Sequence, residues 1–553
     1  MKRFLSLLVF AAISPAIQNS YAQEAKDLGL EAITESAVKG QLEFLASDWT
    51  EGRHTGRPGA YMAADYIASI FKIYGLEPGG ATEYIYPSMA ERMQGKRPVE
   101  YHSYYQSFDL IEYKAGEDQL LSLVDNSAAG SRTIHFAYRT DFSVRTSDVA
   151  IDLEMPLVFV GYGYTDEKAG YDDFKDMDVK GKVILCLSGY PGHSDTDSKA
   201  YKLIGNKSRW SLWREKNKIA SDLGVAAVIE VKPGSGVTKN WADNLPFRYN
   251  SGNYEGDKPR SSFYDTRMIL PGDKISGDPT RITVSDRVLH ALLEGSDIDI
   301  EKFEEEVKNS LKPDSRALQG KTLKIKTSVE SKITRARNVV GVLPGKDSSE
   351  IIVIGGHYDH LGKHDGWIWN GADDNASGTV GVMTIAKACM ATGQKPEKTI
   401  VFAAWTGEEK GLLGSEYFAD HPYNDAHMIL NLNYDMISRD NKDDTLGVKC
   451  SMTYTRKYEV LEKLTRQNNE DYELGLDVKF KPSDRPRGGS DHSSFSRKDV
   501  PVMYFMAGFP PEYHQPDDHL SLVNWDKMVR IIKMGYLNIW DLANMEWGPA
   551  EKE

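Results

Sequence analysis

The sequence predicts an α/β fold in which a mixed, mostly parallel sheet lies between helices. The short continuous apolar run at 351–355 indicates a strand that is covered on both faces, and the runs at 398–405 and 428–436 are also typical of strands. The segment 379–391, which follows the first run, is expected to form a helix. Because ligands of open α/β sheets bind beyond the carboxyl ends of the strands, we expect a site in the residues that follow these runs.

Histidine or acidic side chains lie at or just beyond the end of each of these runs and of a fourth apolar run, which ends near residue 509. His357 and Asp359 lie two residues apart after the first run, so they point the same way at the end of a strand. A metal-bound imidazole needs its second ring nitrogen held, and a nearby carboxylate commonly does this. A solvated loop or a helix cap would explain any one of these residues. Histidine or acidic residues at the ends of four runs instead favour a metal site. The further candidates are Asp373, Asp374, Glu408, Glu409, Asp435 and His514.

The adjacent Glu408 and Glu409 indicate a division of labour. One carboxylate can bind a metal ion while its neighbour moves a proton, and a hydrolytic metal site needs both functions. By itself, the pair would instead indicate the solvated first turn of a helix, which the helix dipole favours.

Five segments in this order resemble those of the co-catalytic zinc aminopeptidases, the family-28 metallopeptidases: GGHYDHLG, NGADDNASG, WTGEEKGLLGS, NYDM and EYHQPDD. The resemblance extends from about residue 326 to the last residue. It implies two Zn²⁺ ions. One would be bound by His357 and Asp435, the other by Glu409 and His514, and Asp374 would bridge them.

The resemblance also implies the residues that act beside the metal ions. Glu408 would be the general base on the bridging water, and Asp359 would orient His357. Tyr513 would assist the developing oxyanion, and a cis peptide bond is expected after Asp374. Asp491 and His492, in the nearby Ser-Asp-His segment, are interpreted as residues that fix a loop and not as ligands.

The implied function is that of a secreted dizinc exopeptidase, an aminopeptidase that hydrolyses N-terminal residues from peptides with metal-activated water. All expected ligands are nitrogen or oxygen atoms, which suits zinc and does not exclude cobalt or manganese. Carboxypeptidase or dipeptidase action on the same scaffold stays open. Some family members carry an arginine before Ser-Asp where this chain has Gly489, and Arg485 and Arg487 lie just upstream. A glutaminyl-cyclase-like enzyme or a non-catalytic binding protein is disfavoured by the complete ligand set.

The chain of 553 residues is too long for one ordinary core. Segments such as PLVFVGYGY and RITVSDRVLHALLEG resemble a β-rich protease-associated domain, which predicts an insert at 147–325. The N-terminal part of the peptidase domain would then be 23–146, and the catalytic part 326–553. The insert carries no convincing catalytic constellation.

Residues 1–22 are predicted to be a cleavable signal peptide, because a basic start precedes a short apolar run and a small-residue cleavage site. We therefore expect a secreted or periplasmic protein without stable membrane insertion. The net charge of −14 argues against a nucleic-acid partner. Three cysteines do not form a disulfide framework.

Two helices are expected within 32–78, separated by the polar loop LASDWTEGRHTGRPG. The sequence leaves two interpretations of this loop open. It is either a surface connection or a segment that approaches the active site.

Overall fold

A computed structural model describes residues 15–128, 130–145, 147, 149–207, 209–231, 266–273, 277–364 and 366–550. The described chain forms two compact units. The first contains the described residues up to Leu110 and from Thr334 onward, and the second contains those from Ile111 to 231 and from 266 to Ile333. Each unit has a hydrophobic core of its own.

A mixed sheet organises the first unit. Its spatial order is Tyr105–Ala115, Val329–Leu343, Lys398–Trp405, Asp347–His357, His427–Tyr434, Val502–Met506, Lys449–Thr455 and Asp477–Ser483. The strands that begin at 347, 398, 427 and 502 are parallel to their neighbours within this group. Glu77–Pro78 pairs with the second strand of this order, and two further hairpins join Thr82–Ile85 to Val99–His102 and Lys363–His364 to Trp367–Ile368.

Hydrophobic cores cover both faces of this sheet. Ile354 and Phe402 belong to one core, whereas Val353 and Val401 belong to the other. Successive side chains of a strand point to opposite faces, so a continuous apolar run supplies both cores at once. The predicted α/β fold class is thereby confirmed.

Helices pack around this sheet. They are Pro15–Glu31, Glu35–Leu45, Pro58–Tyr74, Met89–Met93, Gly378–Ala391, Leu413–Asp420, Val460–Asp471, His492–Ser496 and Trp525–Asn544. Short helical turns lie at Asp48–Arg53, Ala372–Ser377, Tyr423–Asp425 and Leu520–Leu522. The helix predicted at 379–391 and the two helices predicted within 32–78 are thus present.

The second unit is rich in strands. Its sheet has the order Gly130–Phe136, Leu120–Ala128, Arg316–Lys326, Asp152–Phe159, Val183–Leu187, Ala227–Val231, Thr280–Val284 and Phe142–Val144. Its helices are Lys199–Ile204, Arg209–Asp222, Asp286–Leu293 and Ile300–Ser310, and Thr266–Ile269 pairs with residues 111–114. The protease-associated identity of 147–325 and the other predicted domain boundaries stay predictions.

The predicted signal peptide lies in part outside the described residues, which begin at 15. Helix Pro15–Glu31 runs across its predicted end. Among the helices that the structure describes, none is both long and apolar enough to cross a membrane. Cys186, Cys389 and Cys450 are all buried and form no disulfide.

Candidate metal centre

The parallel register brings the predicted ligands to one edge of the sheet. His357 ends its strand and is paired with Trp405, the last residue of the neighbouring strand. Glu408 and Glu409 therefore follow close to His357 in space. On the other side, Asp435 directly follows the strand that ends at Tyr434.

His357, Glu408 and Asp435 form the first cluster, in which one ligand atom of each lies within 4.8 Å of the others. Nε2 of His357 is 3.6 Å from Oδ1 of Asp435 and 3.9 Å from Oε2 of Glu408. The His357 side chain is fully buried, and those of Glu408 and Asp435 are mostly buried. The predicted base thus lies among the predicted ligands.

Glu409 lies at the second cluster, together with His360 and Asp374. Its Oε1 is 2.8 Å from Nδ1 of His360, and its Oε2 is 3.2 Å from Nε2 of His514. This carboxylate therefore lies between two imidazole rings.

Asp374 belongs to the second cluster and also faces the first. Its Oδ1 is 3.5 Å from Nε2 of His357, and its Oδ2 is 3.0 Å from Nε2 of His514. The five residues that the resemblance implies as ligands are thus brought together, with Asp374 in the central position. Their roles as ligands stay predictions.

Polar contacts fix the loop that carries Asp374. The peptide bond between Asp374 and Asn375 is cis, as predicted. The backbone N–H groups of Asp373 and Asp374 donate to the carboxylate of Asp518 at 3.0–3.1 Å. The amide of Asn375 donates to the carbonyl oxygen of Tyr434 at 2.9 Å, which connects this loop to the end of the neighbouring strand.

The charges in the site alter the protonation of its members. Burial disfavours the imidazolium of His514, but Glu409 and Asp374 outweigh burial and raise its pKa to about 10. Burial likewise opposes protonation of His357, whereas Glu408 and Asp435 raise its pKa well above the usual value. The site is therefore an acidic pocket that favours cations.

The donor set fits divalent metal ions. Nε2 of His357 and Oδ1 of Asp435 are buried, and within the described part of the chain neither has a hydrogen-bond partner. A buried polar atom left in this state is costly, and a metal ion would satisfy both atoms. Imidazole nitrogens and carboxylate oxygens, without thiolates, suit zinc and other borderline divalent ions.

Asp359 lies beside both His357 and Glu408. Nδ1 of His357 is 3.2 Å from the carbonyl oxygen of Asp359 and 3.7 Å from its carboxylate oxygen Oδ1. The same carboxylate accepts a hydrogen bond from the backbone N–H of Glu408 at 3.2 Å. Asp359 is therefore placed to hold the imidazole through its backbone and the Glu408 loop through its side chain.

The remaining predicted residues lie around the clusters. The ring of Tyr513 stacks on that of His514, with centroids 3.8 Å apart. Asp491 and His492 are buried and do not belong to either cluster. Burial raises the pKa of Asp491 to about 7 and lowers that of His492 to about 3.

Sequence reasoning missed two residues that contact the clusters. His360 hydrogen-bonds to Glu409, and Asp518 holds the loop of Asp374. Both lie inside quoted segments, in GGHYDHLG and EYHQPDD. The second histidine of HYDH was the available signal, since it recurs three residues after His357.

Residues 338–536 match the model of Peptidase family M28. Leucine aminopeptidase 2 of Arthroderma otae is 32% identical over 171 residues, which are 30% of this chain and 32% of that protein. The glutamate carboxypeptidase 2 homolog of Caenorhabditis elegans is 30% identical over 208 residues, or 34% of this chain and 26% of the relative. The matches thus span about a third or less of these curated relatives.

Solved structures show the same fold. The aminopeptidase from Aneurinibacillus sp. strain AM-1 aligns with a TM-score of 0.56 and 18% identity, over 96% of this chain and 98% of the other. BSAP, a zinc aminopeptidase from Bacillus subtilis, aligns with a TM-score of 0.52 and 18% identity, over 93% and 96%. The segment 338–536 is thus similar to peptidase family M28, and the solved structures share the fold of the chain.

Proposed function

We propose that this protein is a dizinc exopeptidase that removes N-terminal residues from peptides. The observation that carries the proposal is the position of Asp374. Its two carboxylate oxygens face the imidazoles of His357 and His514, at 3.5 and 3.0 Å. One carboxylate between two clusters of nitrogen and oxygen donors is the arrangement that a two-metal hydrolase needs.

The ligands divide between two ions. His357 and Asp435 would hold one Zn²⁺, Glu409 and His514 would hold the other, and Asp374 would contact both. When bound, such ions polarise the peptide carbonyl and lower the pKa of water. His360 would fix the orientation of Glu409 through their hydrogen bond.

Glu408 is proposed as the group that moves the proton. Its backbone N–H is held by the carboxylate of Asp359, and its own carboxylate faces the cluster of His357 and Asp435. Burial, together with the neighbouring Glu409, raises the pKa of Glu408 well above its usual value. A carboxylate with a raised pKa is suited to accept a proton from water and deliver it to the leaving amine. Tyr513, stacked on His514, is proposed to assist the oxyanion.

A panel of aminoacyl nitroanilides tests this function. The protein is assayed as purified, after chelation, and after zinc is restored. We expect release of nitroaniline that chelation abolishes and zinc rescues. No release from protein that holds two zinc ions would overturn the aminopeptidase assignment.

Blocked peptides separate the alternative exopeptidases. An aminopeptidase needs a free amino terminus, so N-acetylation should abolish cleavage while C-amidation should not. The reverse result would establish carboxypeptidase action, which the name of the C. elegans relative and the exposed Arg485 and Arg487 keep as the second candidate.

We further propose that the protein is exported and that residues 147–325 form a protease-associated-like domain. A basic and apolar N-terminal segment supports export. The strand-rich sheet of the second unit supports the domain assignment. Mass spectrometry of the mature N-terminus would test export, with a start near Gln23 as the expected result.

A further inference from the structure

The polar loop at 45–59 lies against the two loops that carry His357 and Asp374, which are proposed metal ligands. The backbone N–H of His360 donates to the carbonyl oxygen of Arg53 at 3.2 Å, and that of Gly362 donates to Gly52 at 2.9 Å. The side-chain amide of Asn370 donates to Asp48 at 2.8 Å. Of the two interpretations that the sequence left open, the approach to the site is therefore observed.

Arg53 donates three side-chain hydrogen bonds to these loops. Its side chain is completely buried. Nε donates to the carbonyl oxygen of Tyr358 at 2.6 Å, and Nη1 and Nη2 donate to those of Asn370 and Gly371 at 2.6 and 2.9 Å. A further bond from Nη1 reaches the carbonyl oxygen of Leu45 at 2.6 Å. The rigid fork of a guanidinium can hold several such carbonyl oxygens at fixed spacing, which an ammonium group cannot do.

The carbonyl groups that Arg53 holds belong to the two loops that carry metal ligands. Tyr358 directly follows His357, whereas Asn370 and Gly371 precede Asp374. Arg53 also adopts a left-handed backbone conformation, with φ of 51°. A non-glycine residue in this region stores strain, which surrounding contacts must outweigh and which is concentrated at functional sites.

Thr55 makes the second contact. Its hydroxyl donates to Oδ2 of Asp359 at 2.8 Å, and both side chains are fully buried. The other oxygen of Asp359 accepts the backbone N–H of Glu408. A chain of two hydrogen bonds therefore runs from Thr55 to the proposed base.

We propose that Arg53 and Thr55 are positioning residues of the metal centre, supplied by a segment outside the part of the chain that matches the family model. The proposal rests on the proposed function, because it assumes that the clusters bind metal ions. Arg53 fixes the spacing of the two ligand loops. Thr55 fixes the carboxylate that lies between His357 and the Glu408 loop. Partners that orient ligands typically change metal affinity or activity by roughly 10–100-fold when they are removed.

The test measures zinc affinity by chelator competition, with the full-length protein. Thr55→Val removes the hydroxyl at nearly constant volume, and Thr55→Ser retains it. We expect Thr55→Val to weaken zinc binding roughly tenfold or more, to lower kcat more than it changes KM, and to alter the absorption spectrum of the Co²⁺-loaded protein. Thr55→Ser should restore all three properties.

Thr399→Val is the matched control. Thr399 is equally buried, and its hydroxyl donates to the carbonyl oxygen of Asp347 at 3.0 Å. It lies at the amino end of the strand whose carboxyl end leads to Glu408. We expect this variant to lose stability without a change in zinc affinity or in the Co²⁺ spectrum. Equal zinc affinity in Thr55→Val and the wild type would overturn the role of Thr55.

Arg53→Lys provides a second variant, which keeps the positive charge but loses the planar guanidinium with its several N–H donors. It should weaken zinc binding by a similar factor, and unchanged affinity would overturn the role of Arg53. Zinc affinity is measured without turnover, so the outcome is separate from the aminopeptidase assignment. A wild-type protein that binds zinc tightly but cleaves no peptide would refute only the proposed function. A wild-type protein that binds no zinc would refute both.

Discussion

Glu408 and Glu409 are neighbours in the chain, yet their surroundings act on their carboxyl groups in opposite directions. Burial and nearby carboxylates raise the pKa of Glu408 well above its usual value. Burial opposes ionisation of Glu409 as well, but His514 and His360 outweigh it and hold the pKa of Glu409 well below its usual value. One glutamate is thus suited to carry a proton, and the other to remain an anionic ligand.

Substitution of Glu408 by glutamine separates these two roles. Glu408→Gln should keep both zinc ions and lose roughly 10²–10⁴-fold in kcat, because a positioned acid–base group contributes that much. Metal analysis and nitroanilide hydrolysis measure the two effects. Glu397→Gln is the control, since this exposed residue pairs with Lys346 and lies just before the strand Lys398–Trp405, at the end opposite to Glu408. Full activity of Glu408→Gln would refute the assigned base.

The proposed role of His514 as a metal ligand predicts that zinc binding depends on pH. Its pKa is raised from 6.5 to about 10 in the metal-free protein, so its imidazole is protonated at neutral pH. A metal ion needs the neutral ring, so zinc binding should release protons, and affinity should rise with pH from about 6 to about 8. Calorimetry in buffers of different ionisation enthalpy measures the protons released. Affinity that is constant over this range would contradict the expectation.

The raised pKa of His514 makes the stability of the metal-free protein fall with rising pH, whereas zinc affinity rises. A raised folded-state pKa contributes stability that is fully present below pH 6.5 and is lost as the pH rises towards about 10. Metal-free protein should therefore lose this contribution over the range in which zinc binding becomes tighter.

At the scale of elements, the apolar runs predicted the central strands, and the strand Lys398–Trp405 has the predicted bounds. The run at 351–355 lies within Asp347–His357. The first residues of this strand, 347–350, are polar, and only Asp347 among them pairs with the strand Lys398–Trp405, before a register shift. A hydrophobic pattern does not predict that such polar residues belong to a strand, since they are not buried.

The contacts of the polar loop could not be predicted from the sequence. Thr55 and Asp359 are 304 residues apart in the chain, and Arg53 and Gly371 are 318 residues apart. The five segments near the ligands are local patterns and were therefore recognisable, whereas these contacts depend on how the first helices pack on the sheet. Their only local signal was the concentration of glycine and charge in the loop.

Gly52 shows how closely this loop approaches the site. It has φ of +68°, and a Cβ at this position would lie 2.4 Å from the carbonyl oxygen of Gly362. Gly52→Ala should therefore lower the free energy of unfolding by more than about 1 kcal/mol, as measured by denaturant titration. Gly40 is exposed within helix Glu35–Leu45, and a Cβ added there would meet nothing within 4 Å. Gly40→Ala should instead add about 0.5–1 kcal/mol. Equal stability of the two variants would contradict this account.

At the scale of the whole molecule, each unit has its own sheet and core, but the proposed metal ligands among the described residues lie in the first unit alone. A ligand that binds only the folded state stabilises it by about 2.7 kcal/mol at a concentration of about one hundred times Kd. Zinc should therefore stabilise the unit that holds the site.

Hydrogen exchange with and without chelator resolves this effect along the chain. Zinc bound by side chains of several loops would hold these loops together, so removal of zinc should increase exchange in the segments 357–362, 370–377 and 408–414. Exchange in the buried strand Val183–Leu187 of the second unit serves as the internal reference and should stay constant. If Arg53 positions the ligand loops, segment 48–55 should respond to chelation together with them. A response confined to the loops, with constant exchange in 48–55, would mean that the N-terminal segment only covers the site.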